Sequence, residues 1–568
     1  MNARLLYHSA REIMKRVSSN SAEPLSRLLD GYLAYLYENN PTAAAADGIH
    51  QHDDLLEDFS RAGIDSQIRE LGGWARRLDD INVSTLTDEE KLERRMLADS
   101  IRAREFALED ISLWRTSPLH YAETLANSLA GQTFFDYAPV AERARRVVSK
   151  LRQTPRFLEG ARQNVTDPPG LYTRVGLEAL EGLLVFVDRD LPRAFRDLED
   201  MHLLGDLADA SVVAVDALRD YSSHLRETVA PRSRASFRLG PERFSEKLRL
   251  EEGIDIPVER LLKIALREFG ETQEAFKKVA SGFNVGGVDA WRERKTDHPS
   301  ADELFSVVEK QLEELEAFVS RKRIVTVPDH EPVVVAPTPK FYRWAFASMW
   351  SAGPFETKPM PAYYYITNVE SSWLADRQEQ HLRDFNYGKL WSISMHEVFP
   401  GHFLHFEHLR KIQAPLRKSN LFAPVSVVEG WAHYSEQMML EEGFERGNTE
   451  IRLGQIAEAL VRLARTIVGI RLHTEDLSVE QGVRFFRDEA FLEEGSARRE
   501  AERGTFDPSY VLYALGKQML LKLRADCEAA QGDTFSLQSF HDGLLGQGTV
   551  PFWMHRQLML GTSGTLVE

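Results

Sequence analysis

Apolar side chains in the first half of the chain recur at the three- and four-residue spacing that is typical of amphipathic helices. The leucines and tyrosines of residues 25–36 form one such stripe. Helix starts are marked as well, because Thr87 with Glu90, and Ser300 with Glu303, have the capping-box spacing. The pattern therefore predicts helices joined by short turns over most of this half.

The pattern changes near Arg323, where short runs of β-branched and aromatic residues bounded by proline replace the helical stripes. We expect strands at residues 324–327, 332–335 and 361–366. From Leu390 onward the helical spacing returns. The predicted fold class is therefore mainly α, with a small β-sheet that precedes a second series of helices.

The length of the chain bears on its division into domains. A chain of 568 residues, of which 43% are hydrophobic, is too long for one ordinary core. We therefore expect two lobes that meet where the pattern changes. The N-terminal helical lobe would comprise residues 1–323 and the second lobe residues 324–568.

The net charge and the cysteine content indicate which binding partners and which cellular compartment suit this chain. A formal net charge of −17 disfavours nucleic acid, which is bound by basic patches. The single cysteine, Cys527, excludes an intrachain disulfide, which fits a reducing compartment and favours the cytoplasm. No window of about 18 consecutive apolar residues exists, so we expect no membrane partner.

The beginning of the chain is basic. Residues 1–19 contain four Lys and Arg residues but no apolar stretch of the kind that a secretory signal needs. We expect a basic amphipathic helix on the surface there. A mitochondrial transit peptide is the alternative.

The candidate chemistry centres on residues 394–402, which begin like the zinc-peptidase signature His-Glu-x-x-His with His396 and Glu397. The next histidine, His402, comes at i+6, where a regular helix with roughly 100° per residue would turn it about 240° away. Pro400 has no N–H and crowds the carbonyl of His396, and Gly401 can adopt backbone angles barred to other residues. We hypothesise that the turn opens here and returns His402 to the side of His396.

A second acidic segment follows at residues 428–436. In one branch of the zinc peptidases, the third metal ligand is a Glu on a separate downstream helix. Glu429 and Glu436 both qualify, because they are seven residues apart and lie on nearly the same helix face. Two His, one Glu and a water form the open four-coordinate site that is typical of catalytic zinc.

The two motifs together, His-Glu-x-x-Pro-Gly-His and then Glu-Gly-Trp-Ala-x-Tyr-x-Glu, resemble the largely bacterial family catalogued as domain of unknown function 885. That family is grouped with the zincin-type metallopeptidases whose third ligand is Glu. The stretched motif is also similar to that of dipeptidyl peptidase III, which carries a one-residue insertion. Five further segments fit the family, namely residues 38–43, 507–510, 515–517, 523–524 and 540–545.

This resemblance implies a two-lobed zincin-like fold and a role for each motif residue. One zinc ion would be held by His396, His402 and Glu429. Glu397 cannot easily ligate beside His396, because adjacent residues of a helix point apart. It is the predicted general base, which takes a proton from the water that zinc activates and later gives it to the leaving amine.

Other residues would support this centre. Glu436 and His433 are predicted to lie behind the ligands and orient them. A donor for the oxyanion of the tetrahedral intermediate is also needed, and the resemblance makes Tyr510 and Tyr513 the candidates.

The chain departs from the family at two places. Phe403 stands where members have a second His after Pro-Gly-His, and residues 468–472 lack the Asp-Thr-Gly that precedes the His matching His473. An alternative ligand set also exists, because His402 and His405 are three residues apart.

Substrate contacts are predicted from the strand over residues 361–366. In zincin peptidases, an edge strand next to the active-site helix pairs with the extended substrate, so Tyr364 and Tyr365 are the predicted substrate-binding residues. A simply buried strand is the alternative. Arg465, Lys517 and Arg524 are candidate cations for a substrate carboxyl terminus.

The sequence thus predicts a zinc metallopeptidase that cleaves short peptides. Two other functions stay open. The same centre would serve a hydrolase of non-peptide amides or esters, and a non-catalytic binding protein could keep the fold without turnover.

Overall fold

The structure is a computed structural model that describes residues 24–283, 286–343 and 345–567, without the side chain of Phe341. The helix predicted over residues 1–19 lies outside the described residues. Within them the chain is mainly α-helical, as predicted. The helices before the sheet are α1 (Leu25–Asn39), α2 (Pro41–Asp47), α3 (Arg61–Asp79), α4 (Asp88–Phe106), α5 (Leu113–Thr116), α6 (Pro118–Phe134), α7 (Val140–Asn164), α8 (Gly170–Val185), α9 (Leu191–Ala194), α10 (Met201–His224), α11 (Pro241–Glu252), α12 (Val258–Ala280), α13 (Val288–Arg294) and α14 (Leu304–Lys322).

The helices after the sheet carry the candidate site. They are α15 (Ala375–Arg383), α16 (Tyr387–Glu397), α17 (His402–Leu409), α18 (Pro415–Lys418), α19 (Val425–Glu441), α20 (Thr449–Thr474), α21 (Val479–Asp488), α22 (Glu494–Phe506), α23 (Leu512–Gln531), α24 (Leu537–Leu545) and α25 (Phe552–Leu560). Among the described residues, no helix combines the length and the apolar character needed to span a bilayer.

One capping box forms as predicted and one does not. The Thr87 hydroxyl accepts from the Glu90 N–H, and the Glu90 carboxylate accepts from the Thr87 N–H, at the start of α4. At Ser300 only half of the box forms, because the Glu303 carboxylate accepts from the Ser300 N–H at 3.2 Å, but the Ser300 hydroxyl donates to that carboxylate and accepts nothing from the Glu303 N–H. Residues 300–303 therefore form a turn, and the regular helix α14 begins only after this turn, at Leu304.

A three-stranded sheet is formed by β1 (Val333–Pro337), β2 (Ala347–Trp350) and β3 (Ala362–Ile366) in the order β1-β3-β2. Strand β3 pairs in parallel with β1 and antiparallel with β2, so its Tyr364 faces a partner on each side. The strand predicted at residues 324–327 is wrong. Ile324 and Val325 are buried in the core without strand pairing, because this segment is held to α24 by Asp542, which accepts from the Thr326 N–H at 2.8 Å.

Three apolar cores hold the described part together. The largest runs from Phe244 to Val567 and includes the sheet and the helices α16, α19, α20 and α23. A second core lies within residues 121–229, and a third joins residues 25–101 to side chains within residues 416–422 and 550–554. Because the largest core contains residues from both sides of residue 323, the two-lobe division stays a prediction.

Close helix contacts through glycine determine where the site helices lie. A Cβ at Gly516 of α23 would lie 1.9 Å from the Ser426 carbonyl oxygen of α19, and a Cβ at Gly454 of α20 would lie 2.3 Å from the Gly388 carbonyl of α16. The absence of these side chains allows α19 to approach α23, and α16 to approach α20. These four helices surround the candidate site.

Candidate metal centre

The Pro-Gly turn between α16 and α17 brings the two histidines of the first motif together. Helix α16 ends at Glu397 and α17 begins at His402. Between them the Phe399–Pro400 peptide bond is cis, and the Gly401 N–H donates to the Met395 carbonyl at 3.0 Å. The rings of His396 and His402 are nearly perpendicular, with centroids 4.8 Å apart.

This turn is tightly packed around Gly401. A Cβ on that residue would lie 1.8 Å from the carbonyl oxygen of His396. From α19, the Trp431 indole N–H donates to the Pro400 carbonyl at 2.8 Å. The glycine therefore permits the return of the chain, and the indole ties the turn to the helix that carries Glu429.

Glu429 completes a three-residue cluster with the two histidines. Its Oε2 lies 3.3 Å from His396 Nε2 and 3.4 Å from His402 Nε2. One ligand atom from each of the three residues falls within 4.8 Å of the others. Oε2 of Glu429 is buried and accepts no hydrogen bond within the described part of the chain. The cluster thus brings together three atoms that can donate a lone pair, and one of them is a carboxylate oxygen without a hydrogen bond. Such a set suits coordination of a divalent cation better than hydrogen bonding among the three side chains.

Glu436 lies behind His396 and accounts for the second acidic position of the motif. Its fully buried carboxylate contacts His396 Nδ1 at 2.8 Å, accepts from the Ser392 hydroxyl at 2.8 Å and pairs with Arg462 at 3.0 Å. Seven residues apart on α19, Glu429 and Glu436 hold the two nitrogens of one imidazole. Glu429 is therefore the carboxylate that reaches the cluster, and Glu436 contacts the opposite nitrogen of His396, so that Nε2 faces the cluster.

The charges around His396 set its protonation in the metal-free protein. Burial by itself would lower the pKa of His396, but the carboxylates of Glu429 and Glu436 raise it to about 9. His433 contacts Glu436 at 3.4 Å, yet burial and the charge of Lys517 lower its pKa to about 3. His433 is therefore a neutral neighbour of Glu436 and does not reach the cluster.

Sequence reasoning missed a chain of ion pairs that continues from Glu436. Arg462 also pairs with Glu458 on the same helix, and Glu458 Oε1 lies 2.6 Å from the Lys389 ammonium. A Glu and an Arg four residues apart on α20 are a recognisable helix pair. The sequence does not show that this pair faces a buried carboxylate of another helix.

Glu397 and His396, one member of the cluster, border a cavity of about 490 Å³. His396, Glu397 and Tyr513 lie in its wall, together with several arginines of α20 and α22. Glu397 is 8% exposed, and burial raises the pKa of its carboxyl above the usual value, against the nearby histidines, which lower it. A carboxylate beside the cluster and open to a cavity is placed as a general base needs to be.

The two candidate tyrosines lie in different surroundings. The Tyr513 ring is parallel to that of His396 with centroids 6.2 Å apart, and its hydroxyl accepts from Arg503 at 3.2 Å. Burial and the charge of Glu429 raise the pKa of Tyr513 to about 12, so its hydroxyl keeps the proton at neutral pH. Tyr510 is fully buried against Gly504 and does not line the cavity. The structure therefore brings Tyr513, and not Tyr510, to the centre.

The predicted substrate contacts of Tyr364 and Tyr365 need correction. Strand β3 is the central strand, paired on both sides, so it cannot accept an added strand. Tyr364 is fully buried, Tyr365 packs against Trp350 with ring centroids 5.5 Å apart, and neither lines the cavity. The strand that borders the cavities is β2, an edge strand that the sequence did not reveal because Ala347–Trp350 lacks β-branched residues. Its Ala347 faces the 490 Å³ cavity, and its last residues face a second cavity of about 840 Å³.

The remaining histidine candidates have structural partners. His405 Nε2 lies 3.0 Å from the Thr549 hydroxyl, and His408 Nε2 lies 2.7 Å from the Thr326 carbonyl. His473 bonds a backbone carbonyl of α22 at 2.8 Å. The structure brings none of these three to the cluster, so it does not assemble the alternative ligand set with His405.

The cations proposed for a substrate terminus are also engaged elsewhere or buried. Arg465 lines the cavity but makes two bonds of 2.7 Å to Glu500. Arg524 donates to the Tyr434 hydroxyl at 3.0 Å. Lys517 is buried, and that burial lowers its pKa to about 8.

Comparison with known protein families shows to which family the chain belongs. The model of the family described as "Bacterial protein of unknown function (DUF885)" matches residues 41–559. The chain belongs to this family. No curated protein matches its sequence.

Two solved structures resemble this DUF885 protein over nearly its whole length. One is described as "a putative lipoprotein of unknown function from Shewanella oneidensis", with 24% identity and a TM-score of 0.78, covering 95% of this chain and 100% of that one. The other is "the putative lipoprotein from Colwellia psychrerythraea", with 17% identity and a TM-score of 0.78, covering 94% and 98%. These likenesses show a shared fold. The predicted cytoplasmic location stays a prediction.

Proposed function

We propose that this protein is a zinc-dependent hydrolase, and that its substrates are short peptides. One observation carries the proposal, which is the convergence of His396, His402 and Glu429 within 4.8 Å, with His396 in the wall of a cavity. A buried cluster of this kind costs free energy unless something binds it, because its polar atoms lack full hydrogen bonding.

The donor set favours zinc among the common metals. Two imidazoles and one carboxylate give three protein ligands and leave a fourth position open, which is the pattern of catalytic zinc. Bound there, zinc would supply Lewis acidity to a substrate carbonyl and lower the pKa of a water to about 7. Glu436 supports this assignment, because a carboxylate on the second nitrogen of a ligating His is a common partner in such sites.

The surrounding residues have distinct roles in the proposed reaction. Glu397 accepts the proton of the attacking water and passes it to the leaving amine. The Tyr513 hydroxyl, protonated at neutral pH and held by Arg503, donates to the oxygen on which negative charge develops. Each role needs a group that faces the cavity, and both residues line it.

The enclosure of the centre supports small substrates. A cavity of about 490 Å³ among packed helices accommodates a few residues of extended chain but no folded domain. The edge strand β2 adds backbone groups with which an extended peptide can pair. Both features favour short peptides over other amides.

The test combines metal analysis with a peptide library. Wild-type protein and Glu397→Gln are expected to hold about one zinc per chain, and His402→Ala little. His408→Ala, a buried histidine that bonds Thr326 away from the cluster, is the matched control and keeps its zinc. Turnover of library peptides should fall roughly 10²- to 10⁴-fold in Glu397→Gln.

Other outcomes would redirect the proposal. Zinc without peptide turnover, but with cleavage of an ester or non-peptide amide, would establish the broader hydrolase. Zinc without any turnover would favour a binding protein. Retention of zinc by His402→Ala would show that the ligand set is wrong.

A further inference from the structure

Most cations in the wall of the 490 Å³ cavity are neutralised by carboxylates. Arg465 pairs with Glu500, Arg343 with Glu370 and Lys389 with Glu458. Such pairs leave little charge for a ligand. A cation of the same wall without a carboxylate partner would therefore be a candidate to bind a substrate anion.

Among the described residues, Arg499 on α22 is one of three such cations, with Lys340 and Arg377, and it is the one that shares a helix with Arg503 beside Tyr513. Arg499 lines the cavity with an exposed side chain, and no carboxylate of the described residues lies within ion-pair distance of it, so that Asp384 and Glu500 act on its charge only from farther away. Its guanidinium donates to the Ser496 hydroxyl at 3.3 Å and lies over the Phe346 ring, 4.8 Å from the centroid. Ring and hydroxyl fix the guanidinium but satisfy only part of its five donors.

The position of Arg499 relates it to the proposed centre. Arg503, four residues later on the same helix face, donates to the hydroxyl of Tyr513, whose ring lies parallel to that of His396. Arg499 and Arg503 are thus separated by about one helical turn, roughly 5 Å along α22. An extended residue spans about 3.3–3.6 Å, so one or two residues would cover this distance.

We infer that Arg499 binds the free carboxyl terminus of the substrate, one or two residues beyond the bond that is cleaved. This inference rests on the proposed function. It makes the protein a carboxypeptidase, which removes one C-terminal residue, or a peptidyl-dipeptidase, which removes two. A planar guanidinium matches a carboxylate with two parallel hydrogen bonds. Apolar residues of the same wall, among them Phe346, Ile393 and Leu492, provide a surface for the terminal side chain.

The test measures binding, so that it does not depend on turnover. The zinc-loaded Glu397→Gln protein is titrated by calorimetry with acetyl-Ala-Ala-Ala as the free acid and as the C-terminal amide. The acid is expected to bind roughly 10- to 100-fold more tightly, which is the range for a charged hydrogen-bonded pair. Adding Arg499→Met should abolish this difference, and Arg499→Lys should retain part of it.

Arg498 supplies the matched control. It neighbours Arg499 on α22 but is paired with Glu480 and Glu494 and does not line the cavity. Arg498→Met should keep the full preference for the acid. Zinc content and circular dichroism establish that each variant is folded and loaded.

Three results of this titration would overturn the inference, namely equal binding of acid and amide, a preference that survives Arg499→Met, or no binding of either peptide, and a further peptide supplies a fourth. Acetyl-Ala-Ala-Asp amide distinguishes a side-chain carboxylate from the terminal one, and equal binding of this peptide and the free acid would also overturn it. The proposed function fails separately. Peptide binding with an Arg499-dependent preference but no wild-type hydrolysis would reject the hydrolase and keep the carboxylate site.

Discussion

Substitution of Gly401 by Ala tests whether the Pro-Gly turn builds the centre. The added Cβ would lie 1.8 Å from the His396 carbonyl oxygen, whereas ordinary contacts begin at 3.4 Å. Relief therefore requires a shift of 3.4 − 1.8 = 1.6 Å between the turn and the end of α16. Metal sites tolerate deviations of only about 0.2 Å in their ligand distances. We expect Gly401→Ala to bind zinc at least roughly 100-fold more weakly, which exceeds the usual effect of a residue behind the ligands.

The assay is zinc affinity by competition with a chelator, measured together with thermal unfolding. Overpacking of this kind costs about 1–3 kcal/mol of folding free energy. The control is Gly205→Ala in α10, where a Cβ meets no heavy atom within 4 Å. That variant should keep its zinc and gain about 0.5–1 kcal/mol, because Ala replaces Gly inside a helix. If Gly401→Ala binds zinc as the wild type does, close packing at this glycine does not hold the two histidines together.

Three further predictions follow from the contacts of the centre. Tyr513→Phe should retain zinc but lower kcat by about 10- to 1000-fold, because it removes the proposed oxyanion donor. Tyr510→Phe, in the core, should leave kcat nearly unchanged. Similar losses of kcat in both variants would reject Tyr513 as the oxyanion donor. Glu436→Gln should weaken zinc binding by about 10- to 100-fold, measured with the same chelator, and unchanged affinity would show that this carboxylate does not orient His396. Because the pKa of His396 is about 9 in the metal-free protein and zinc binds the neutral ring, zinc uptake at pH 7 should release a proton from it. The apparent zinc affinity should therefore fall as the pH drops below about 9, and a pH-independent affinity between pH 6 and 9 would contradict this.

Pairs of similar residues show which roles could not be assigned from the sequence alone. Glu429 and Glu436 lie on one face of α19, and so periodicity cannot separate their roles. Tyr510 and Tyr513 are only three residues apart along the chain, yet one faces Gly504 in the core and the other faces His396. The choice depends on how α23 packs on α19 through Gly430 and Gly516, which is a long-range contact.

The β-sheet shows the same limit of prediction from local sequence patterns. Alternation and β-branching predicted β1 and β3 because these signals are local. They failed for residues 324–327, whose buried apolar side chains pack in the core without pairing, and they missed β2. Strand order was also beyond them, since the pairing of β2 with β3 and the contacts of β2 with α16 and α17 join segments that are far apart in the chain.

The sequence by itself determined the mainly helical character, the capping box at Thr87 and the residues of the two motifs, because each depends on neighbours within about one helical turn. It also supplied the Pro-Gly pair without which His402 could not return. Only the tertiary structure decided that Glu429 faces both histidines, that Glu436 holds the other side of His396 and that Arg499 is left without a carboxylate partner in the cavity wall. These features join helices far apart in the chain, and their geometry is determined by how the helices pack.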